Sequence, residues 1–201
     1  MSKVAIAILA AGSSSRLGRA KQLVELGGET LISRSIESAK GADPIATIVV
    51  LGAGCSQIAR RIRQDVMLVE NHDWQEGIAS SIRCAVEAAS ALPLEALIIT
   101  TCDQPYVTGD LLQKIKELFE RTGRSIVSAF YNGSPGIPAL FARDKFGDLL
   151  TLRGDRGAKK IITQSDALYV DAPQAAIDLD TEEDIVFHSR LFIQERQHTP
   201  A

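Results

Sequence analysis

Cysteine is scarce in this sequence: Cys55, Cys84 and Cys102 stand far apart, with no C-x-x-C pair. That excludes a disulfide framework and points to a reducing compartment. Long apolar runs are missing as well. The first, Val4 to Ala10, is short for a signal segment with its flanks and reads better as a buried strand. Nothing approaches the roughly 18 apolar residues of a membrane span. The expectation is a cytoplasmic protein that makes no use of the membrane. Positive charge is not in excess: the formal net charge is −3 and the pI about 5.7. This excludes a general nucleic-acid binder, though a few local cations can still hold a phosphate. Histidine is rare, and His72, His188 and His198 fall in a loop, a late helix and the tail. No Ser–His nucleophilic pair is evident. Repeats, linkers and low-complexity tracts are lacking too.

What the chain does have is alternation. With 201 residues, 45% hydrophobic and 23% charged, it has the size and composition of one soluble domain. The apolar run at 4–9 reads as a strand buried on both faces, and those at 47–51, 66–70, 96–100, 125–131, 139–141 and 167–170 as further strand candidates. Between them lie helical patterns. Thr30–Lys40 stops at Gly41, 57–62 is a short helix, and 79–91 follows the third strand. Leu111, Leu112, Ile115, Leu118 and Phe119 mark an amphipathic helix capped by Thr108. A last helix starts after Asp180-Thr181 and runs to about Gln194. Strands and helices in this order predict an α/β protein with a mostly parallel sheet. The domain is expected over 1–194, with 195–201 a disordered tail.

Ligands in such sheets sit beyond the carboxyl ends of the strands, so residues after apolar runs carry the information. After the first strand stands "LAAGSSSRLGRAK", residues 9–21. Gly12 and Gly18 allow N–H groups to converge on an anion. Ser13, Ser14 and Ser15 add short donors, and Arg16, Arg19 and Lys21 add charge. The spacing fits neither a Walker A loop nor G-x-G-x-x-G. A triphosphate loop is favoured over a solvated turn. After the third strand, Asn71, Trp74 and Gly77 precede Ser80, Ser81 and Arg83 at a helix start suited to a phosphate or a base edge. A plain Ser80 cap with Trp74 as packing is the alternative. Asp103, in "TCDQP", suits a divalent cation such as Mg²⁺ unless it merely caps a turn. Asp178 and Asp180, in "DLDTEED", offer a second carboxylate and, equally, a helix start.

Taken with "NHDWQEGIASSI", "YNGSPGIPALF" and "LRGDRGAKKII", these stretches resemble the molybdenum cofactor cytidylyltransferase group in order and spacing. Leu17 for a frequent methionine and Glu182 for a frequent proline are the departures. The resemblance implies a single Rossmann-like three-layer α/β/α domain, of the glycosyltransferase-A-like nucleotidyltransferase kind. It implies transfer of CMP from CTP to the terminal phosphate of the molybdopterin cofactor, with release of pyrophosphate. The product would pass to a molybdenum hydroxylase client. By the family pattern Gly12 to Lys21 hold the triphosphate, with Arg16 and Lys21 on the leaving group. Asp103 with Asp178 or Asp180 holds Mg²⁺ (or Mn²⁺). Gly136, Pro138, Gly154 and Asp155 belong to segments lining the pterin side. The choice of cytosine rests on Leu9-Ala10-Ala11-Gly12, where guanylyltransferases tend to read L-A-G-G. Three other readings stay open: a GTP-using enzyme, a nucleotidyltransferase with a sugar-phosphate or methylerythritol-phosphate acceptor, and a non-catalytic cofactor carrier.

Overall fold

Strand β1 (Val4–Ala10) is buried along its whole length, and its pleat divides the core in two. Val4, Ile6, Ile8 and Ala10 point to one face; Ala5, Ala7 and Leu9 point to the other. A computed structural model describes residues 2–14 and 16–198, with side chains as far as 192. After β1 come a two-residue hairpin, β2 (Glu25–Leu26) with β3 (Glu29–Thr30), and helix α1 (Leu31–Gly41). Next are β4 (Thr47–Leu51), α2 (Cys55–Ala59), β5 (Met67–Glu70), α3 (Ile78–Ser90) and β6 (Ala96–Thr101). Then follow α4 (Gly109–Thr122), β7 (Ile126–Tyr131), β8 (Ser134–Ala142), α5 (Phe146–Leu150), α6 (Lys159–Thr163), β9 (Leu168–Asp171) and α7 (Glu182–His198).

The main sheet has seven strands in the order β5-β4-β1-β6-β8-β7-β9. Every neighbouring pair is parallel except those made by β8, which runs against β6 and β7. Side chains of α1 and α4, among them Ile32, Ile36, Leu111 and Ile115, cover one face. Ile82, Ala85 and Val86 of α3, with Leu149 of α5 and Ile162 of α6, cover the other. The expected three-layer α/β/α arrangement is present. Thr30 caps α1 by accepting from the Ser33 N–H, and Thr108 caps α4 by accepting from the Leu111 N–H.

Three expectations need correction. The strand expected over 139–141 is the end of a nine-residue strand, folded back on β7 through Asn132-Gly133, whose φ angles are 50° and 70°. That pair is the sequence signal for a tight hairpin. The helix expected over 57–62 begins and ends earlier, over Cys55–Ala59. Helix α7 continues to His198, past Gln194, because nothing in "ERQH" breaks a helix. The expected disordered tail is therefore helical as far as His198, and 199–201 lie outside the described residues. Among the described residues, no helix is long and apolar enough to cross a membrane.

Candidate active site

Strands β1 and β6 end, and the chain leaving β5 turns, at one cleft of about 590 Å³. One wall is the turn after β1. Leu9 to Gly12, Ser14, Arg16 and Lys21 line it; Ser13 and Gly18 are exposed but outside the lining, and Ser15 lies outside the described residues. The 3₁₀ turn Lys21–Leu23 sends two successive side chains in opposite directions. Lys21 Nζ reaches into the cleft, 2.5 Å from Asp180 Oδ1 and 3.3 Å from Asp103 Oδ2. Gln22, 2% exposed, turns back and donates to the Ala10 and Gly12 carbonyls at 2.8 and 3.0 Å. Arg16 Nη1 donates to Asp180 Oδ2 at 3.0 Å, and Arg19 forms a two-pronged pair with Glu182.

Asp103 stands just past β6, and the Asp180 segment is tied to it by the Leu179 N–H, which donates to the Asp103 carbonyl at 3.0 Å. Residues far apart in sequence thus share one charge cluster. Partial burial works against the Lys21 charge, but Asp103 and then Asp180 outweigh it and raise its pKa. Asp178 keeps solvent access. Crowding by the surrounding protein, then the charges of Asp103 and Asp180, push its carboxyl up to about 6. The helix-start reading of 178–184 coexists with this one: Thr181 Oγ1 accepts from the Asp184 N–H, and the Asp184 carboxylate accepts from the Thr181 N–H.

Trp74, Gly77, Ser81 and Asp155 form the opposite wall. Gly77 has φ 117°, and a Cβ there would stand 2.2 Å from an Asp155 oxygen and 2.7 Å from the Gly154 carbonyl oxygen. Only glycine lets the two segments touch. Asn71 and Ser80 do not face the cleft. Both are buried, and Asn71 Nδ2 donates to Ser80 Oγ and Ser81 Oγ at 2.8 and 3.0 Å, so their polar atoms fix the start of α3. Gly136 and Pro138 lie on β8, outside the cleft lining. Gln104 Nε2 ties that strand to the Asp103 loop, donating to the Ile137 carbonyl at 3.3 Å and to the Ala175 carbonyl at 2.7 Å.

Three contributors went unread in the sequence: Gln22, Gln104 and the partner of Arg83. Arg83 grips Glu76 through both nitrogens, at 2.9 and 2.5 Å, and donates to the Leu152 carbonyl. Glu76 in turn accepts from the Gly154 N–H at 3.0 Å. The Arg83 hydrogen bond first, and the Gly154 N–H second, lower the Glu76 pKa to about 2. An amide directly after the loop lysine, followed by apolar Leu23 and Val24, was the available signal for Gln22.

Among the described residues, no three acidic, histidine or cysteine side chains converge as a ready cage for a metal ion. Asp103 and Asp180 instead meet at the Lys21 ammonium. Two hard carboxylate oxygens on a cleft suit a cation of the Mg²⁺ type, which keeps its remaining positions for phosphate and water. The donor set fits such an ion.

A family model for the MobA-like NTP transferase domain matches residues 6–168, spanning β1 to the start of β9 and with it most of both walls. The chain is a MobA-like NTP transferase. It is 27% identical to the molybdenum cofactor cytidylyltransferase of Escherichia coli over 92% of this chain and 95% of that protein. It is also 27% identical to the molybdenum cofactor guanylyltransferase of Rhodobacter capsulatus, over 71% and 77% of the two chains. With the bifunctional protein GlmU of Cutibacterium acnes the identity is 28% over 81% of this chain, which spans 38% of that protein's length. Among solved structures, Rv0371c of Mycobacterium tuberculosis superposes with TM-score 0.80 and 27% identity, covering 94% and 98% of the two chains. A manganese complex of Rv0371c superposes with TM-score 0.75 and 25% identity over the same shares. As a MobA-like NTP transferase the chain is an enzyme, a nucleotidyltransferase.

Proposed function

We propose that this nucleotidyltransferase transfers CMP from CTP to the terminal phosphate of the molybdopterin cofactor and releases pyrophosphate. An oxygen of the acceptor phosphate attacks the α-phosphorus of CTP, and the bond to the β-phosphate bridge breaks. The acceptor is already a nucleophile, so the residues supply alignment and charge rather than covalent catalysis. The observation that carries the reading is the charge cluster beside the turn after β1. Arg16 and Lys21 stand ready for the leaving pyrophosphate. Gly12, Ser13, Ser14, Ser15 and Gly18 belong to the loop that holds the triphosphate. Mg²⁺ (or Mn²⁺), held by Asp103 with Asp180 or Asp178, would neutralise phosphate charge. Asn71 and Ser80 act by setting the start of α3. Gly154 and Asp155, with Gly136 and Pro138 behind the Asp103 loop, take the pterin side.

Resemblance to the Escherichia coli cytidylyltransferase over nearly the whole of both chains supports the acceptor and the base. Ala11, 4% exposed, packs in the same apolar cluster as Trp74, and both line the cleft. A methyl there narrows the space left to a purine. The setting we assign is the cytoplasm, in accord with the three free cysteines, and the product passes to a molybdenum hydroxylase.

The test is incubation with each of the four NTPs, Mg²⁺ and molybdopterin cofactor, following pyrophosphate. CTP is expected to lead, and Ala11→Gly to move the CTP/GTP ratio of kcat/KM towards GTP. A preference for GTP would replace cytidylyl with guanylyl transfer, as in the Rhodobacter capsulatus relative. Release only with a sugar phosphate or methylerythritol phosphate would replace the acceptor. Cofactor binding without any turnover would revive a carrier role.

A further inference from the structure

From Leu9 to Gly12, four successive carbonyls are engaged by the protein itself. Leu9 accepts from the Cys102 N–H at 3.4 Å and Ala11 from the Ala53 N–H at 3.1 Å. Ala10 and Gly12 both accept from one group, Nε2 of Gln22. In a planar trans peptide the C=O and the following N–H point in opposite directions. Carbonyls drawn inward therefore turn the N–H groups of Ala11, Gly12 and Ser13 outward. Among the described residues these three N–H groups donate to no protein acceptor. Ala11 and Gly12 line the cleft and Ser13 is exposed beside it, so the turn carries these donors at the cleft and along its edge.

Gln22 fixes two of those three peptides, and its own geometry admits one orientation. Turning the amide over would set Oε1 against two carbonyl oxygens. As it stands, Oε1 is buried without a partner among the described residues, a cost that folded chains carry at few positions. Gln22 lines the cleft, but its amide hydrogens are spent on the backbone. We infer that Gln22 is a positioning residue for the nucleotide: its amide holds the peptide that carries the Ala11 N–H on the cleft wall, and the next-but-one peptide that carries the Ser13 N–H at its edge, so that both donors are kept for the acceptor atoms of the incoming NTP. The inference rests on the nucleotidyltransferase reading of this cleft and adds a residue to it.

Trp74, the single tryptophan, lines the same cleft and reports its occupancy by fluorescence. The experiment titrates CTP with Mg²⁺ into the wild type, Gln22→Met (similar length, no donor) and Gln22→Glu (same shape, acceptors only). In variants shown by circular dichroism to be folded, Kd for CTP should rise roughly tenfold or more, the loss of aligned donors at a buried site. KM for the acceptor should stay within about twofold of wild type, because the opposite wall is untouched. A residue that only supported the fold would lower the melting temperature and leave Kd of the folded fraction unchanged; that result overturns the inference. Should neither variant fold, hydrogen exchange on the wild type decides. Saturating CTP should slow the amides of the 11–13 stretch, and unchanged exchange there overturns the inference. Wild type that binds none of the four NTPs overturns the nucleotide reading itself; wild type that binds CTP no better than the folded variants overturns only the role of Gln22.

Discussion

Full charges hold one wall of the cleft, where Lys21 stands between Asp103 and Asp180 and Arg16 leans on Asp180. Across the gap, Glu76 and Arg83 brace backbone groups of 152–154, and a glycine allows the close approach at Gly154 and Asp155. The difference concerns what a ligand must undo. On the first wall every cation already has a carboxylate partner, so an entering anion has to take Arg16 and Lys21 from Asp180. On the second wall the braces point away from the gap, so a ligand meets a surface already in place. The first wall is set to rearrange and the second to stay.

Asp103→Asn should break the first wall most severely. It removes the charge proposed to bind the metal and one partner of Lys21, at a cost of about 3 kcal/mol in transition-state stabilisation, roughly a hundredfold in turnover. Steady-state kinetics with an intact circular dichroism spectrum is the check, and near-normal turnover would end the assignment. Lys21→Ala comes next, with kcat/KM for CTP lower by roughly thirtyfold. Arg16→Ala should cost less, since that side chain is 75% exposed.

Gly77→Ala probes the second wall, where the loss should appear first in stability. Positive φ and overlap with Asp155 together cost about 2 kcal/mol, lowering the melting temperature by about 5 °C. An unchanged melting curve would mean that the 152–155 loop yields easily, and the contrast between the walls would fail. The smallest effect belongs to Asp178. Its carboxyl is raised to about 6 in the folded chain from an ordinary 3.8, so the folded state binds more protons between those values. Stability contributed by this group therefore falls as pH rises through about 6. In metal-free protein, Asp178→Asn should raise the melting temperature by about 2 °C at pH 8. At pH 3.5, where the carboxyl is largely protonated in both states, no change is expected.

Much of the frame was legible because buried parallel strands need continuous apolar runs. "VAIAIL", "TIVVL" and "ALIIT" can hardly be anything else, and Thr30, Gly41 and Thr108 punctuate the helices. The charged residues of the first wall were legible for a related reason: in this architecture they must follow the strands. Pairings across the chain were not legible. Nothing local says that Arg83 will find Glu76 and Leu152, that Gln104 will reach Ile137 and Ala175, or that Gln22 will turn back to Ala10. Asn71 and Ser80 show the same limit from the other side. Their types suit a ligand, but burial spends their hydrogen bonds on each other.

The strand order also bears on how the chain acquires its shape during synthesis. β1 is made before the other strands of the sheet and lies inside it, between β4 and β6, with Ile6 beside both Thr47 and Ile98. The β7–β8 hairpin closes within a few residues, whereas β1 waits for β6 to leave the ribosome. At roughly 5–20 residues per second, that wait lasts several seconds. Throughout it, an apolar segment has one edge, the β6 side, without a partner, and the turn that follows it has neither Asp103 nor Asp180 to neutralise its cations. Closure of such a distant parallel pair is slow in its own right, because the loop entropy is spent before the contacts form. The most finished part of the folded molecule is thus the part that stays longest unfinished while the chain is being made.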